Sequence, residues 1–301
     1  MSTVKGVSMK TGVIDIGGGM RGIYAAGVFD AFIDFGIKFD YCIGVSAGTA
    51  NLVSFLAGQK GRNYRFYVRH AQDKRYMSLE NMIKKGEYFD LSYIYDTLTN
   101  HVDPLDYDAL INSPSELKIV ATNAKTALPE YFDKEVFLER SCKALMASCA
   151  LPIACRAVKI NDVEYFDGGV SDPIPIRKAI EDGCDRVVVL LPRNVNLRKK
   201  PESLRYVYLR ALRKYPEIIE AIKKKKEKNS GGAANKYVPE KYFKGTPEQE
   251  EWLQDNVYSR FKIKKIEYEN CEPIIKYISD NFEQPLLKRK NSPQLEFIRT
   301  L

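Results

Sequence analysis

Hydrophobic positions in the first 60 residues form two short runs of neighbouring apolar residues, each followed at once by apolar residues at helical spacing. In VIDIGGGMRGIYAAGVFDAF (residues 13–32), a β-type run over residues 13–16 meets a turn with three glycines. Beyond it Ile23, Ala26, Val28, Phe29, Phe32 and Ile33 recur at the period of one helix face, which predicts a helix over 23–35. DYCIGV (40–45) predicts a second strand, and SAGTANLVSFLAG a second helix with no linker before it and Gly58 and Gly61 as stop signals. Residues 62–114 read as mostly helical and polar. Their aromatics (Tyr64, Phe66, Tyr67, Tyr88, Phe89, Tyr93 and Tyr95) fit core packing first and a substrate-facing wall second.

Strand character returns in LKIVATNA (117–124), and VFLERSCKALMASCALP (136–152) predicts a helix that stops at Pro152, which cannot continue it. VKINDVEYFDGG (158–169) predicts a hairpin turning at Asn161 and Asp162. IPIRKAIEDG (174–183) predicts a helix closed by Gly183, and DRVVVLLPR (185–193) a wholly apolar strand of the kind buried inside parallel sheets. The alternation of β and α predicts an α/β fold as far as residue 193, with a boundary near 195. Past Pro201 the chain turns to Lys, Glu and Tyr, with NSGGAANK (229–236) as a loop and FKIKKIEY (261–268) as a further candidate βα element.

A chain of 301 residues at 45% hydrophobic can bury a substantial core. The start, MSTVKGVSMKTG, has no apolar run followed by a small-residue cleavage site, and no run reaches the length that crosses a bilayer, which predicts a soluble, cytoplasmic protein. Six scattered cysteines (Cys42, Cys142, Cys149, Cys155, Cys184 and Cys271) read as reduced core thiols. With His70 and His101 the only histidines, nothing stands at ligand spacing, so neither metal nor organic cofactor is expected. The net charge of +8 is concentrated in LRKK (197–200) and IKKKKEKN (222–229). Such runs suit a solvated helix face best and peripheral contact with an anionic membrane surface next. Nucleic acid is not expected, because no aromatic residues interleave with the lysines.

The sharpest chemistry is G-x-S-x-G at Gly44, Ser46 and Gly48, between a predicted strand and a predicted helix, the setting of a nucleophile elbow. A serine hydroxyl needs a base. The usual order of acid and then histidine after the serine is excluded, since no histidine follows His101. Both histidines read as surface or packing residues. The remaining base is Asp167 in EYFDGGVSDPIP, with Tyr165, Phe166 and Val170 as apolar neighbours. The rival Asp172 precedes Pro173 and reads as a helix cap. GGGMRG also matches a dinucleotide fingerprint at Gly17, Gly19 and Gly22, but Asp40, at the right distance, begins its strand instead of ending it. Ligands gather at the carboxyl ends of parallel strands, so the glycine turn and Ser46 should share one crevice, with the turn's N–H groups around an oxyanion.

GGGMRG, then GVSAG, then DGG before a D-x-I-P segment, in that order, resembles the patatin-like phospholipases, in particular their bacterial branch. ATNAKT and ASCALPIACRAVKINDVEYFDGG add to the resemblance, which covers residues 8–195. It implies a three-layer α/β/α sandwich on a mostly parallel sheet and a lipid acyl hydrolase domain over 8–195; residues 196–301, which the resemblance does not cover, are expected to form a mainly helical Lys- and Tyr-rich region. It further implies Ser46 as nucleophile, Asp167 as base, and Gly17, Gly18, Gly19 and Arg21 around the oxyanion, with Met20 and Gly22 in the same turn. Lipid or acyl-ester substrates follow. The competing expectation is a non-catalytic binder of lipid or nucleotide on the same scaffold.

Overall fold

The structure, a computed structural model, describes residues 9–192 and 212–230. Its strands are β1 (Thr11–Asp15), β2 (Tyr41–Val45), β3 (Glu116–Asn123), β4 (Pro129–Asp133), β5 (Val158–Ile160), β6 (Val163–Asp167) and β7 (Arg186–Leu190). They form one sheet in which β7, β1, β2 and β3 lie side by side, β4 and β6 also pair with β3, and β5 pairs with β6. β7, β1, β2 and β3 run parallel; β4, β6 and β5 join antiparallel.

Side chains alternate between the two sheet faces, as the pleat demands. Val13, Cys42 and Ile119 point into the larger core beneath α1 (Ile23–Asp34) and α2 (Ala47–Leu56). Their neighbours Ile14, Ile43 and Val120 face the opposite side, against Ala179. Helices therefore cover both faces, and the three-layer sandwich is present. Residues 62–112 carry α3 (Arg62–Val68), α4 (Leu79–Lys85), a π-helical segment Tyr93–Val102 and α5 (Tyr107–Asn112). The hairpin turns where expected: Asn161 and Asp162 both take positive φ (46° and 65°), the geometry of a two-residue turn matched to strand twist.

Three expectations change. The helix predicted over 136–152 is only α6 (Lys143–Cys149), because residues 134–137 make a 3₁₀ turn and Arg140 takes φ 52°, outside the helical region. β4 was not anticipated; PEYFD opens on a proline, and its pairing with β3 decides its state. The apolar 185–193 run supplies β7, yet among the described residues it lies at the sheet edge beside β1 and mostly half-buried, not in the interior. α7 (Ile176–Glu181) is as expected and ends near Gly183, at φ 88°.

Cys42, Cys142, Cys149, Cys155 and Cys184 are free, buried thiols. Cys271, LRKK, FKIKKIEY and residues 231–236 of the predicted loop lie outside the described residues; Asn229 and Ser230 close the last helix. That helix is α8 (Pro216–Ser230). Leu212 and Ile218 bury in the same core as α1 and α2, and Tyr215 stands edge-on to Phe166 at 5.0 Å. Among the described residues no helix is long and apolar enough to cross a membrane.

Candidate active site

Two strands end at one point. β2 and β4 both pair with Val120, so they occupy opposite edges of β3; β4 and β6 both pair with Thr122, so β6 shares the β2 edge. Val45 is opposite Val120 and Asp167 opposite Ala121, so β6 runs in head-on against the end of β2, one residue step of roughly 3.3 Å further along. Ser46 follows the first strand end, and Asp167 is the second.

Ser46 is 8% exposed and holds φ 57°, ψ −136° as the residue before α2. A non-glycine residue there costs about 1–3 kcal/mol and persists only where its surroundings impose it. The surroundings here are explicit. Ser46 N donates to Ser148 Oγ (2.9 Å), whose hydroxyl also meets Thr49 Oγ1 (3.1 Å). Gly44 and Gly48 let the chain fold back on itself: a Cβ on Gly44 would lie 2.5 Å from Thr49 Cα, and one on Gly48 2.2 Å from Asp15 O.

Asp167 is 2% exposed. Its Oδ1 accepts from Gly169 N (2.7 Å), its N–H donates to Ala150 O (2.9 Å), and its carbonyl accepts from Thr122 Oγ1 (2.8 Å). Residues 148–150, at the end of α6, therefore fasten both Ser46 and Asp167. Between those anchors lies Cys149, whose side chain meets Ser46 and, at 3.1 Å, the Tyr95 hydroxyl. Burial pushes that thiol far up, so it is no competing nucleophile. Asp172 does not cap α7, which begins after Pro175; its Oδ2 accepts from Tyr131 OH (2.7 Å) instead.

The glycine turn lies on the elbow. Gly17, Gly18 and Gly19 take φ of 64°, 118° and 62°. A Cβ on Gly17 would fall 2.4 Å from Val45 O and 2.7 Å from Gly48 N, so the turn rests on the amino end of α2. Gly17 N is itself engaged, donating to Asp15 Oδ1 (2.9 Å), which leaves the amides of Gly18 and Gly19 as the turn's better candidates for an oxyanion. Arg21 is exposed, with its guanidinium folded back toward Gly18, and Gly22 abuts the Tyr67 hydroxyl.

Asp15 was not singled out in the sequence, yet it knits the site together. It is fully buried at the end of β1; Oδ2 accepts from Asn51 Nδ2 (2.9 Å), which also donates to Gly22 O, and Asn51 Oδ1 accepts from Tyr67 OH (3.1 Å). Burial outweighs these hydrogen bonds and lifts its carboxyl from 3.8 to about 6. The folded chain thus takes up a proton there before the unfolded chain does, so Asp15 lowers stability above about pH 6 and releases that penalty as the pH falls toward 4. Measured against Asp15→Asn, the wild type should gain roughly 2 kcal/mol between pH 7 and pH 4 in denaturant melts; a difference independent of pH would contradict this.

Ser46, Ala47, Gly19 and Met20 line a cleft of about 730 Å³, its open mouth included, whose walls come from Phe66, Tyr76, Phe89, Leu91, Ile94 and Leu151. Several aromatics of the 62–114 region thus serve core and cleft together. Asp167, Gly17, Gly18, Arg21, Gly22, Gly44 and Gly48 do not line it. The histidines are elsewhere: His70 Nε2 is 3.4 Å from Asp103 Oδ2 in a cluster with Arg62 and Arg65, and His101 is exposed. Asp40 sits at the opposite strand end, accepting from Thr11 N (2.7 Å), as a dinucleotide site would not have it.

The family model described as patatin-like phospholipase matches residues 16–180. The uncharacterized protein YjjU of Escherichia coli (strain K12) is 30% identical over 181 residues, covering 58% of this chain and 49% of its own length. The chain thus spans about half the length of that curated relative. The crystal structure of VipD from Legionella pneumophila matches 55% of this chain and 47% of its own at 15% identity, with a TM-score of 0.33. With the glycine turn, the elbow serine and the strand-end aspartate all falling in the matched region, which takes in more than half of the sequence, the chain belongs to the patatin-like phospholipase family.

Proposed function

We propose that the protein hydrolyses carboxylic esters of lipids through Ser46 and Asp167. The observation that carries this reading is the strained, cleft-lining Ser46 at the end of β2, with Asp167 closing the next position along the same edge of β3. Asp167 takes the Oγ proton as Oγ bonds to the ester carbon; the carbonyl oxygen becomes an oxyanion facing the Gly18 and Gly19 amides and the amino end of α2. Collapse breaks the bond to the alcohol oxygen, which leaves with the proton from Asp167. Water, deprotonated by the same carboxylate, then cleaves the acyl-Ser46 ester and returns the proton to Oγ.

Burial of the carboxylate suits the role. An exposed aspartate is a weak base near neutral pH, whereas a desolvated one beside a hydroxyl can accept a proton usefully. The apolar walls match an acyl chain in polarity. A fluorophosphonate probe should label wild type at Ser46 and leave Ser46→Ala unmodified, as read by mass spectrometry of the digested protein. Labelling at another residue, or none alongside measurable fatty-acid binding, would instead favour a non-catalytic binder.

A further inference from the structure

Helix α4 is inside out. Its buried side carries Asn81, whose Nδ2 donates to Lys74 O (3.2 Å) and Arg75 O (3.0 Å), while Leu79 and Ile83, one turn apart, stand 73% and 84% exposed. A helix shaped for water alone places such a pair inward. Nor is the helix frayed, since Ser78 Oγ accepts from Asn81 N (3.1 Å) and Gly86 ends it at φ 73°.

α4 is the tip of an excursion whose base is the rim of the cleft. Met77 bridges to Phe89, Ser78 N donates to Tyr88 O (3.1 Å) and Asp90 N to Tyr76 O (3.1 Å); Tyr76 and Phe89 line the cleft. Tyr88 N donates to Ala154 O (2.7 Å), docking this base on the segment that carries Leu151, a half-exposed cleft residue, and Arg156. Beside α4 an open concavity is lined by Arg75, Lys84, Lys85 and Arg156 together with Glu87 and Asp90. These cations pair with Asp73, Glu80, Asp90 and Glu87, and Arg75, Lys84 and Arg156 remain largely exposed, where such pairs exchange readily for other anions.

We propose that α4 and this concavity are the face on which the protein lies against an anionic lipid surface. Leu79 and Ile83 enter the boundary between headgroups and acyl chains, the four cations meet lipid phosphates, and the mouth of the cleft is brought to the bilayer. Its purpose rests on the ester-hydrolase reading, but binding itself does not.

The test is co-sedimentation of the full chain, as Ser46→Ala so that nothing turns over, with vesicles of phosphatidylcholine plus phosphatidylglycerol and of phosphatidylcholine alone. The parent should bind the anionic vesicles more tightly. Leu79→Ser with Ile83→Ser should weaken that partition at least about tenfold. Lys84→Gln with Arg156→Gln should weaken it about fivefold or more and reduce the preference for phosphatidylglycerol. All four positions are exposed, so melting temperatures should not move. With Ser46 restored, both variants should hydrolyse a soluble p-nitrophenyl ester like wild type and lose activity on vesicle-borne ester. Failure of the parent to bind, or equal binding by the leucine–isoleucine variant, overturns the proposal. Binding without any hydrolysis overturns the catalytic reading and leaves this one standing.

Discussion

Ser46→Ala is expected to lower turnover of a p-nitrophenyl acyl ester at least about a thousandfold, because no acyl-enzyme can form without Oγ, and that loss is about 4 kcal/mol of barrier. Asp167→Asn should cost at least about a hundredfold, since an amide keeps the acceptor for Gly169 N but cannot take the serine proton. Stability separates chemistry from folding. Ser46 N and its bond to Ser148 Oγ survive in Ser46→Ala, so that variant should melt within about 1 kcal/mol of wild type. Ser46→Gly should be more stable than Ser46→Ala by about 1 kcal/mol, because glycine occupies φ 57° without strain. Steady-state kinetics beside thermal melts check all three. Near-wild-type activity in either Ser46→Ala or Asp167→Asn refutes the dyad, and a Ser46→Gly protein less stable than Ser46→Ala refutes the strained elbow.

What could be read from the sequence was what short-range chemistry determines. The glycine turn, the elbow and the Asn161–Asp162 hairpin each need particular residues at particular φ values, so they show in a few letters. β1, α1, β2 and α2 show because their apolar periods are unbroken. The rest depends on partners far along the chain. Ser148 is 102 residues from Ser46, and nothing in LMASCALP distinguishes it from a helix serine until α6 is docked. Asp15 hides inside an apolar strand, where only three-dimensional packing supplies Asn51 and the Gly17 amide. The antiparallel entry of β6 beyond the end of β2, which sets Asp167 one residue step past Val45 along β3, follows from Thr122 serving two strands at once. Asp172 looked like a cap because a following proline suggests a turn; Tyr131, from the unanticipated β4, takes it instead. One signal was available and pointed elsewhere: VFLERSCKALMASCALP is helical by composition, yet only its middle stretch, Lys143–Cys149, forms an α-helix.

Gly17→Ala and Gly19→Ala differ by two positions and have nearly equal φ, 64° and 62°, so the intrinsic conformational cost of alanine, about 1–2 kcal/mol, is the same for both. Their surroundings differ completely. An added methyl at Gly17 would meet Val45 O at 2.4 Å, Gly48 N at 2.7 Å and Ala47 N at 2.9 Å, all backbone that cannot swing aside; at Gly19 it would meet nothing within 4 Å. Gly17→Ala must therefore lift the turn off the elbow, adding about 1–3 kcal/mol of overpacking to the shared conformational cost. That is a fall of roughly 5–15 °C in Tm for a domain of this size. The displaced turn would carry the Gly18 and Gly19 amides away from the oxyanion, so hydrolysis should fall by at least about a hundredfold at temperatures where the protein remains folded. Gly19→Ala should lose only a few degrees and stay folded; its methyl projects where the cleft is lined, so what it loses should appear first in KM for long acyl chains. Paired melts and kinetics decide the matter: equal destabilisation by the two substitutions would mean that the turn does not rest on the amino end of α2, and without that contact the proposed oxyanion site has no floor.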